Sequence, residues 1–246
     1  MNFRTIAESD YYKSAFIKYV TKSRARTKYG AVENIIENGE GLTDSDIIAK
    51  IKAKILPVGR CDKGKRSGDR LMMMRNLVSG PVNTYCDIGC GDCHITISVR
   101  DSLKCRVTYA IDTTPPDENF VRENALIFAE DASEIPDQSV DLVTIFMTLH
   151  HMSLGVIVAT LNNCKRILKY GGRLIIREHD DELTPPFDAF MDLIHLYNSD
   201  VSYYELRSWT AWNKIITDQG FSLVKKITYM EPNPQRIFHA SYTIAK

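Results

Sequence analysis

Apolar residues in the first 80 positions recur at helical spacing, and residues that favour helix starts precede them. Ser9 can cap a helix that runs to Tyr19, and Thr43 with Asp46 three residues later resembles a capping box. The capping box opens a segment whose isoleucines share one helical face: Ile47, Ile48, Ile51 and Ile55, followed by Pro57. Residues 59–68 are rich in glycine and charge, which predicts a linker, and residues 71–78 predict one more helix. We expect a helical extension or lid over residues 1–80.

The pattern changes after residue 81, where short β-rich runs alternate with helical spacers. Five such runs cover residues 84–88, 107–111, 126–129, 140–146 and 173–176. This alternation predicts βαβ units and a parallel sheet covered on both faces. Two helices are then expected over 187–197 and 204–219, followed by strands over 221–229 and 237–245. The turn between these last strands is short, so they are expected to be antiparallel.

Composition adds a charge asymmetry to an otherwise ordinary globular protein, with 44% apolar and 25% charged residues. Residues 1–80 hold 16 Lys and Arg against nine Asp and Glu, whereas residues 81–246 hold 15 against 22. Six basic residues and no acid occupy positions 13–28: Lys13, Lys18, Lys22, Arg24, Arg26 and Lys28. Such a run suits a polyanion, although a solvated helix face has the same pattern.

No run approaches the ~18–20 apolar residues of a membrane span, and the amino terminus lacks the apolar stretch of a secretory signal. A cytoplasmic protein is the expectation.

A glycine turn closes the first predicted strand, in the order Asp87, Ile88, Gly89, Cys90, Gly91. Glycines let the backbone turn sharply and approach a ligand at the amino end of the following helix. Asp112 ends the second strand, 25 residues after Asp87, about where a nucleoside-binding fold places a carboxylate on the ribose. A dinucleotide dehydrogenase needs a third small residue where His94 stands. The pattern therefore disfavours NAD.

These motifs resemble those of class I S-adenosylmethionine-dependent methyltransferases, in the type-11-like branch. The glycine turn is similar to the family's first motif, and Asp112 to its ribose-binding acid. Asp131 and Ala132 are similar to the pair after strand three that contacts the adenine amine. Residues 140–151 resemble the family's fourth strand, and residues 166–174 resemble its helix, Gly-Gly turn and fifth strand.

The resemblance implies an α/β domain over residues 81–246 and S-adenosylmethionine as cofactor. Its Rossmann-like sheet would be mostly parallel, with seven strands in the order 3-2-1-4-5-7-6 and an antiparallel last strand. Asp87 would order the glycine turn and the methionyl end of the cofactor, and Asp112 would accept from the ribose diol. The complete expected cofactor site is Asp87, Ile88, Gly89, Gly91, Asp112, Asp131, Ala132 and Phe146.

Three cysteines have a spacing that also occurs in metal proteins. Cys86, Cys90 and Cys93 match the radical-S-adenosylmethionine iron–sulfur spacing, and Cys90 to His94 matches a haem attachment pattern. Cys86, however, falls inside a predicted strand, haem attachment would require export, and His94 is too close in sequence to complete a zinc site. We expect reduced thiols and no metal.

Candidate acceptor residues follow the fourth and fifth strands. His150 and His151 end strand four, and Glu178 and His179 end strand five. A histidine beside the transferred methyl could act as general base or orient the acceptor. All four are therefore candidate catalytic or acceptor-contacting residues.

RNA is the favoured acceptor on sequence grounds, because the basic run is interleaved with aromatic residues that can stack on bases. Lys22, Arg24, Arg26 and Lys28 are the expected RNA contacts. The end of strand five also loosely resembles small viral RNA-cap methyltransferases. Cap 2′-O-methyltransferases use a Lys-Asp-Lys-Glu tetrad that this chain lacks, so the guanine N7 position is favoured. A small-molecule methyltransferase and a non-catalytic methyltransferase-fold binding subunit are the alternatives.

Overall fold

The structure is a computed structural model that describes residues 2–21, 26–55, 77–78, 80–180, 184–198, 203–229 and 235–242. The chain forms two compact units. One comprises Met1–Cys61, Asp181–Tyr204 and Tyr229–Pro234, and the other comprises Asp62–Asp180, Glu205–Thr228 and Gln235–Lys246. The predicted linker over 59–68 and most of the predicted helix over 71–78 lie outside the described residues.

The helices are α1 (Asn2–Ala7), α2 (Asp10–Thr21), α3 (Arg26–Glu37), α4 (Asp44–Lys54), α5 (His94–Leu103), α6 (Glu118–Glu123), α7 (Leu154–Ile167), α8 (Pro185–Asn198) and α9 (Trp209–Asp218). The strands are β1 (Thr84–Ile88), β2 (Val107–Ile111), β3 (Ile127–Ala129), β4 (Val140–Phe146), β5 (Leu168–His179), β6 (Phe221–Tyr229) and β7 (Gln235–Tyr242). Single 3₁₀ turns cover Ala132–Glu134 and Leu149–His151.

The helical unit contains α1 to α4 and α8. Its predicted capping box is confirmed, because the Thr43 hydroxyl accepts from the Asp46 amide and the Asp46 carboxylate accepts from the Thr43 amide. Asp44 accepts from the first amides of α1, those of Asn2 and Phe3, at 2.9 and 3.2 Å.

Helix α8 belongs to this unit although it follows the fifth strand in sequence, so the unit extends beyond the first 80 residues. The Tyr12 ring of α2 lies 6.2 Å from Phe187 and 5.7 Å from Phe190 of α8, centroid to centroid. Burial of these aromatic rings explains why α8 joins the amino-terminal helices.

The second unit is built on a sheet with the strand order β3-β2-β1-β4-β5-β7-β6. Neighbouring strands from β3 to β5 pair in parallel, and Asp87 of β1 lies opposite Ala110 of β2 and Thr144 of β4. Strand β7 pairs with β5 in the antiparallel direction, with His239 opposite Ile175. The predicted α/β Rossmann-like sheet and its antiparallel final strand are confirmed.

Alternate residues of the central strands pack on opposite faces of the sheet, as the two-residue period of a strand requires. On one face, Val143 and Ile145 of β4 pack with Leu161 of α7 and Trp212 of α9. On the other face, the buried side chains are Tyr85, Leu142, Phe146 and Ile175, which pack with Val99 of α5. Strands β1 and β4 are thus covered on both sides, which fixes the position of the loops at their carboxyl ends.

Two predicted boundaries were wrong by five residues. The helix expected over 204–219 begins at Trp209, because the Asp180 carboxylate accepts from the Trp209 amide at 2.6 Å and Ser208 caps the helix. Strand β5 starts at Leu168, five residues before the apolar run at 173–176, since Leu168 already pairs with Val140.

None of the helices in the described part of the chain combines the length and the apolar run that a bilayer crossing requires.

Candidate cofactor and acceptor site

The glycine turn after β1 rests on the end of β2. The amides of Gly89 and Cys90 donate to the Ile111 carbonyl at 2.8 and 3.1 Å, and the Gly91 amide donates to Asp112 Oδ2 at 2.8 Å. The turn and the predicted ribose carboxylate are therefore in direct contact, although 21 residues separate Gly91 from Asp112. They lie where parallel α/β sheets bind their ligands.

Two glycines in this turn have positive φ but serve different purposes. Gly89 has φ +74° and faces Thr148, so that a Cβ at position 89 would lie 2.2 Å from Thr148 Oγ1. Gly91 has φ +54°, and a Cβ there would meet no atom within 4 Å. Gly89 thus permits close packing between the glycine turn and the segment after β4, whereas Gly91 borders open space beside Asp112.

Asp87 is buried and joins three elements. Its Oδ2 accepts from the Thr96 hydroxyl of α5, and its Oδ1 accepts from the Thr144 hydroxyl of β4, both at 2.6 Å. The Thr144 oxygen is in turn 2.8 Å from the Tyr85 hydroxyl. Burial, followed by the Asp87 charge, raises the pKa of Tyr85, which keeps this hydroxyl protonated as a donor. Asp87 therefore orders the start of α5 next to the glycine turn.

Asp131 and Ala132 follow β3. The Asp131 carboxylate is exposed and accepts from the Ser133 amide at 2.6 Å, so it caps the 3₁₀ turn. Hydrogen bonds from the Ser133 side chain and amide lower the pKa of Asp131, which keeps it ionised as an acceptor. The Ala132 side chain is buried against the core, and its carbonyl accepts from Arg166 of α7 at 2.6 Å.

The segment after β4 begins with a constrained backbone. Phe146 is buried, and the next residue, Met147, has φ +56°, an uncommon conformation for a non-glycine side chain. The Met147 amide donates to the Arg177 carbonyl of β5 at 2.8 Å, and the Thr148 hydroxyl donates to the Phe146 carbonyl at 3.1 Å. These bonds hold Thr148 against Gly89.

Glu178 organises the same segment from β5. Its side chain is fully buried, and its Oε1 accepts from the amides of Thr148 and Leu149 at 2.8 and 2.7 Å. Its Oε2 lies 2.7 Å from Nδ1 of His150, which is 2% exposed. Since an ionised carboxylate only accepts, the geometry assigns the Nδ1 proton to His150. We call Glu178 and His150 the buried dyad.

His151 and His179, the other two predicted histidines, lie beside His150 of the buried dyad. The His151 ring lies 3.9 Å from the His150 ring, and the His179 ring lies 4.8 Å from it on another side, centroid to centroid. His179 is buried, whereas His151 is exposed. The structure thus brings all four predicted acceptor residues together, and His151 is the one that reaches solvent.

The cysteines have the environment of reduced thiols. Cys86 is buried within β1, as expected, and Cys90 and Cys93 hold their sulfur atoms 3.5 Å apart in a hydrogen bond. This hydrogen bond and burial raise the pKa of Cys90. Cys93 has φ +59° at the start of α5, so this pair helps to shape the glycine turn.

The expected RNA contacts are only partly described. Lys22 and Arg24 lie outside the described residues, as does the side chain of Arg26 at the start of α3. Lys28 is half-buried on α3. Lys13 of the same basic run lies 3.8 Å from Glu33 and 3.5 Å from Glu37, measured between charged atoms.

Sequence reasoning missed four residues that shape the site: Thr96, Thr144, Thr148 and Arg166. The position of Arg166 just before the Gly-Gly turn was visible in the sequence, but its partners were not. No pattern pointed to the three threonines, because their partners are distant in sequence.

Comparisons with known proteins agree with this geometry. Residues 86–176 match the profile of the Methyltransf_11 family, described as a methyltransferase domain. The fold is that of a class I methyltransferase. No curated protein sequence matches the chain.

Three solved structures resemble the chain at low identity. One is from the complex between the Haloferax volcanii Trm112 methyltransferase activator and a methyltransferase, with 14% identity, 75% of this chain and 92% of that chain covered, and a TM-score of 0.60. A second is a Methanosarcina mazei S-adenosylmethionine-dependent methyltransferase, with 14% identity and a TM-score of 0.57. The alignment covers 70% of this chain and 98% of that chain. The third is Burkholderia thailandensis 1,6-didemethyltoxoflavin-N1-methyltransferase with bound S-adenosylhomocysteine, with 13% identity and a TM-score of 0.58. The alignment covers 90% of this chain and 92% of that chain.

These findings indicate S-adenosylmethionine as the cofactor, and the residues present fit it. Gly91 borders open space next to the Asp112 carboxylate, and Asp131 offers a second ionised carboxylate at the end of β3. Such acceptors suit the hydroxyls of a ribose and the amine of an adenine.

Proposed function

We propose that this protein is an S-adenosylmethionine-dependent methyltransferase whose acceptor is positioned at the exposed His151. The observation that carries the proposal is the 2.8 Å hydrogen bond between the Gly91 amide and Asp112. This bond places the glycine turn that follows β1 next to the carboxylate that follows β2, at the same edge of the sheet. A nucleoside-binding sheet needs this arrangement.

The bound cofactor supplies an electrophilic methyl group, and the protein's task is to hold the acceptor in line with it. Asp112 would accept from the ribose hydroxyls, Asp131 would accept from the adenine amine, and Gly91 would let the nucleoside approach the backbone. Asp87 acts through Thr96, because it fixes the start of α5 beside the glycine turn. The side chains of Ile88, Ala132 and Phe146 are buried in the core, so these three residues would support the site from below and border it only through their backbone.

The acceptor chemistry follows from the buried dyad. Glu178 accepts a hydrogen bond from Nδ1–H of His150 and so fixes that ring. The exposed His151 ring lies beside it, with centroids 3.9 Å apart and the ring planes tilted by 46°. We assign His151 the role of acceptor contact and general base, and Glu178, His150 and His179 positioning roles, because their burial separates them from solvent.

A small molecule is the acceptor class that the described residues favour. The Burkholderia thailandensis N1-methyltransferase, whose printed name gives a small-molecule acceptor, aligns with 90% of this chain, more than the second unit alone. In addition, Lys13 of the basic run lies within ion-pair distance of two glutamates on α3.

RNA is the second candidate, carried by the basic run at positions 13–28. Within RNA, cap guanine N7 is favoured over the 2′-hydroxyl, because N7 methylation needs mostly positioning and electrostatics. Incubation with labelled S-adenosylmethionine and a metabolite extract, capped RNA or uncapped RNA separates the two classes. Label in RNA that is lost when Lys22, Arg24, Arg26 and Lys28 are neutralised would establish RNA and reject the small-molecule acceptor.

Calorimetric titration with S-adenosylmethionine tests the cofactor site itself. Asp112→Ala should weaken binding by about 1–3 kcal/mol, or roughly 5- to 150-fold, because it removes a hydrogen-bonded charge. Asp101→Ala is the matched control, since Asp101 is an exposed carboxylate on α5 away from the glycine turn. Wild-type protein that binds no cofactor would support the binding-subunit alternative, and equal affinity of both variants would show that the ribose site is misplaced.

A further inference from the structure

Arg166, in the last turn of α7, binds the loop that carries Asp131. One guanidinium nitrogen donates to the Ile135 carbonyl at 2.8 Å and to Asp137 Oδ1 at 2.6 Å. The other donates to the Ala132 carbonyl at 2.6 Å. All three acceptors lie between β3 and β4. Further along the same loop, the amides of Gln138 and Ser139 donate to the carbonyls of Arg166 and Ile167 at 3.0 and 2.9 Å, so the Arg166 side chain holds the part of the loop nearest Asp131 and the helix backbone holds the rest.

In the segment 131–135, the described hydrogen bonds other than those from Arg166 are local. Within it, the Ser133 amide donates to Asp131 and the Ile135 amide donates to the Ala132 carbonyl at 3.2 Å. Both bonds are internal to residues 131–135 and set the local shape of the turn only. The buried side chains of Ala132 and Ile135 give it apolar contacts with the core, but such contacts are not directional.

The chemistry of arginine matters at this position. A planar guanidinium offers several N–H groups at fixed angles, so it can bind two carbonyl oxygens and a carboxylate together, whereas a lysine ammonium cannot reproduce that arrangement. The ion pair with Asp137 is exposed, with 71% of the Asp137 side chain accessible, and contributes little by itself. The bonds from Arg166 to the Ala132 and Ile135 carbonyls are therefore the ones that fix the position of residues 132–135.

We propose that Arg166 is a positioning residue for purine recognition, which sets the distance of Asp131 from the adenine amine through the Ala132 and Ile135 carbonyls. The inference rests on the proposed cofactor site. It predicts that disturbing Arg166 changes the preference for the 6-amino group of the purine, and not only the stability of the fold.

The test compares binding of S-adenosylhomocysteine with binding of its analogue that carries hydrogen in place of the 6-amino group. Wild-type protein should prefer the amine by about tenfold or more, the effect of one hydrogen bond to a charged acceptor. Arg166→Lys keeps the charge but loses the planar geometry, so the preference should fall to within about threefold of unity. Asp137→Asn is the matched control, because it leaves both carbonyl bonds in place, and it should keep the wild-type preference.

A loss of affinity for both ligands with an unchanged ratio would mean that Arg166 is only structural, and it would overturn the inference. An unchanged ratio with unchanged affinity would overturn it equally. If Arg166→Lys does not fold, Arg166→Gln is measured by the same ratio, and the same two outcomes apply. Failure of the proposed function is distinguishable, since the wild-type protein would then bind neither ligand; the inference falls with it.

Discussion

Replacing Glu178 by glutamine tests the buried dyad most directly. Three hydrogen bonds converge on the carboxylate, from the amides of Thr148 and Leu149 and from His150 Nδ1. A hydrogen bond to a charged group contributes about 1.5–3 kcal/mol and a neutral one about 0.5–1.5. Glutamine keeps an oxygen for the two amides but turns a donor toward His150. We expect a loss of about 1–3 kcal/mol in the free energy of unfolding.

The same substitution should change the chemistry. Because the glutamine NH₂ would face Nδ1, His150 must carry its proton on the other ring nitrogen and rotate or shift, which displaces the adjacent His151 ring. The methylation rate should therefore fall by about 10- to 100-fold while cofactor affinity stays nearly unchanged. Circular dichroism melts, calorimetry and single-turnover methyl transfer measure these three quantities.

Two further variants make the reasoning refutable. Glu178→Ala leaves the two amides and the histidine without their partner, so it should cost about 3–5 kcal/mol, more than glutamine does. Glu130→Gln is the control, an exposed glutamate after β3, with an expected effect within about 0.5 kcal/mol. If Glu178→Gln melted at the wild-type temperature and transferred methyl groups at the wild-type rate, the role assigned to the dyad would be wrong.

Substitutions at Gly89 and Gly91 probe the glycine turn, and a substitution at Asp141 probes the start of β4. Gly89→Ala should lower the free energy of unfolding in urea melts by more than the about 1–2 kcal/mol that positive φ costs an alanine, because its Cβ would also lie 2.2 Å from Thr148. Gly91→Ala should cost less stability, because its Cβ would meet no protein atom within 4 Å, but it should weaken cofactor binding in calorimetry, because the nucleoside would occupy that space. Asp141→Asn should destabilise at pH 7 by about 1–3 kcal/mol in urea melts, because Asp141 accepts from Lys169 and from the amides of Asn83 and Thr84.

The effect at Asp141 should depend on pH. Partial burial alone would raise the pKa of Asp141, but the hydrogen bonds from Lys169, Thr84 and Asn83 outweigh it and lower the pKa. A carboxyl whose folded pKa is lowered stabilises the fold above its unfolded pKa, about 3.9, and loses that contribution as the pH falls through the folded value. The gap between wild type and Asp141→Asn should narrow below about pH 4. A difference in unfolding free energy between wild type and Asp141→Asn that is constant with pH would contradict this expectation. An equal loss of stability in Gly91→Ala and Gly89→Ala would contradict the expectation for the glycine turn.

The sequence predicted those parts of the fold that follow from local patterns. The alternation of apolar residues located β1, β2, β4 and β6, and the predicted glycine turn lies at the carboxyl end of β1. The start of α9 was not predicted, because it depends partly on Asp180, a residue 29 positions earlier, which accepts from the first helical amide, that of Trp209. Likewise, α8 joins the helical unit through aromatic contacts with Tyr12, which no spacing along the chain reveals.

At the candidate site, residue types were predictable but partners were not. Asp87 was identified from the motif, yet its partners Thr96 and Thr144 lie 9 and 57 positions away. The sequence predicts Glu178 as a catalytic or acceptor-contacting residue, and its full burial and three hydrogen bonds support the positioning role proposed for it. Such long-range hydrogen bonds leave no periodic trace in a single sequence.

The position of the two tryptophans has a practical consequence. The chain contains only Trp209 and Trp212, and both lie in the first turn of α9. The Trp212 indole is fully buried and donates to the His179 carbonyl at 3.0 Å, one residue after Glu178. Tryptophan fluorescence of the unlabelled protein therefore comes from the neighbourhood of the dyad. Shifts in tryptophan emission during ligand titration or stopped-flow mixing would report changes around the dyad without an introduced probe.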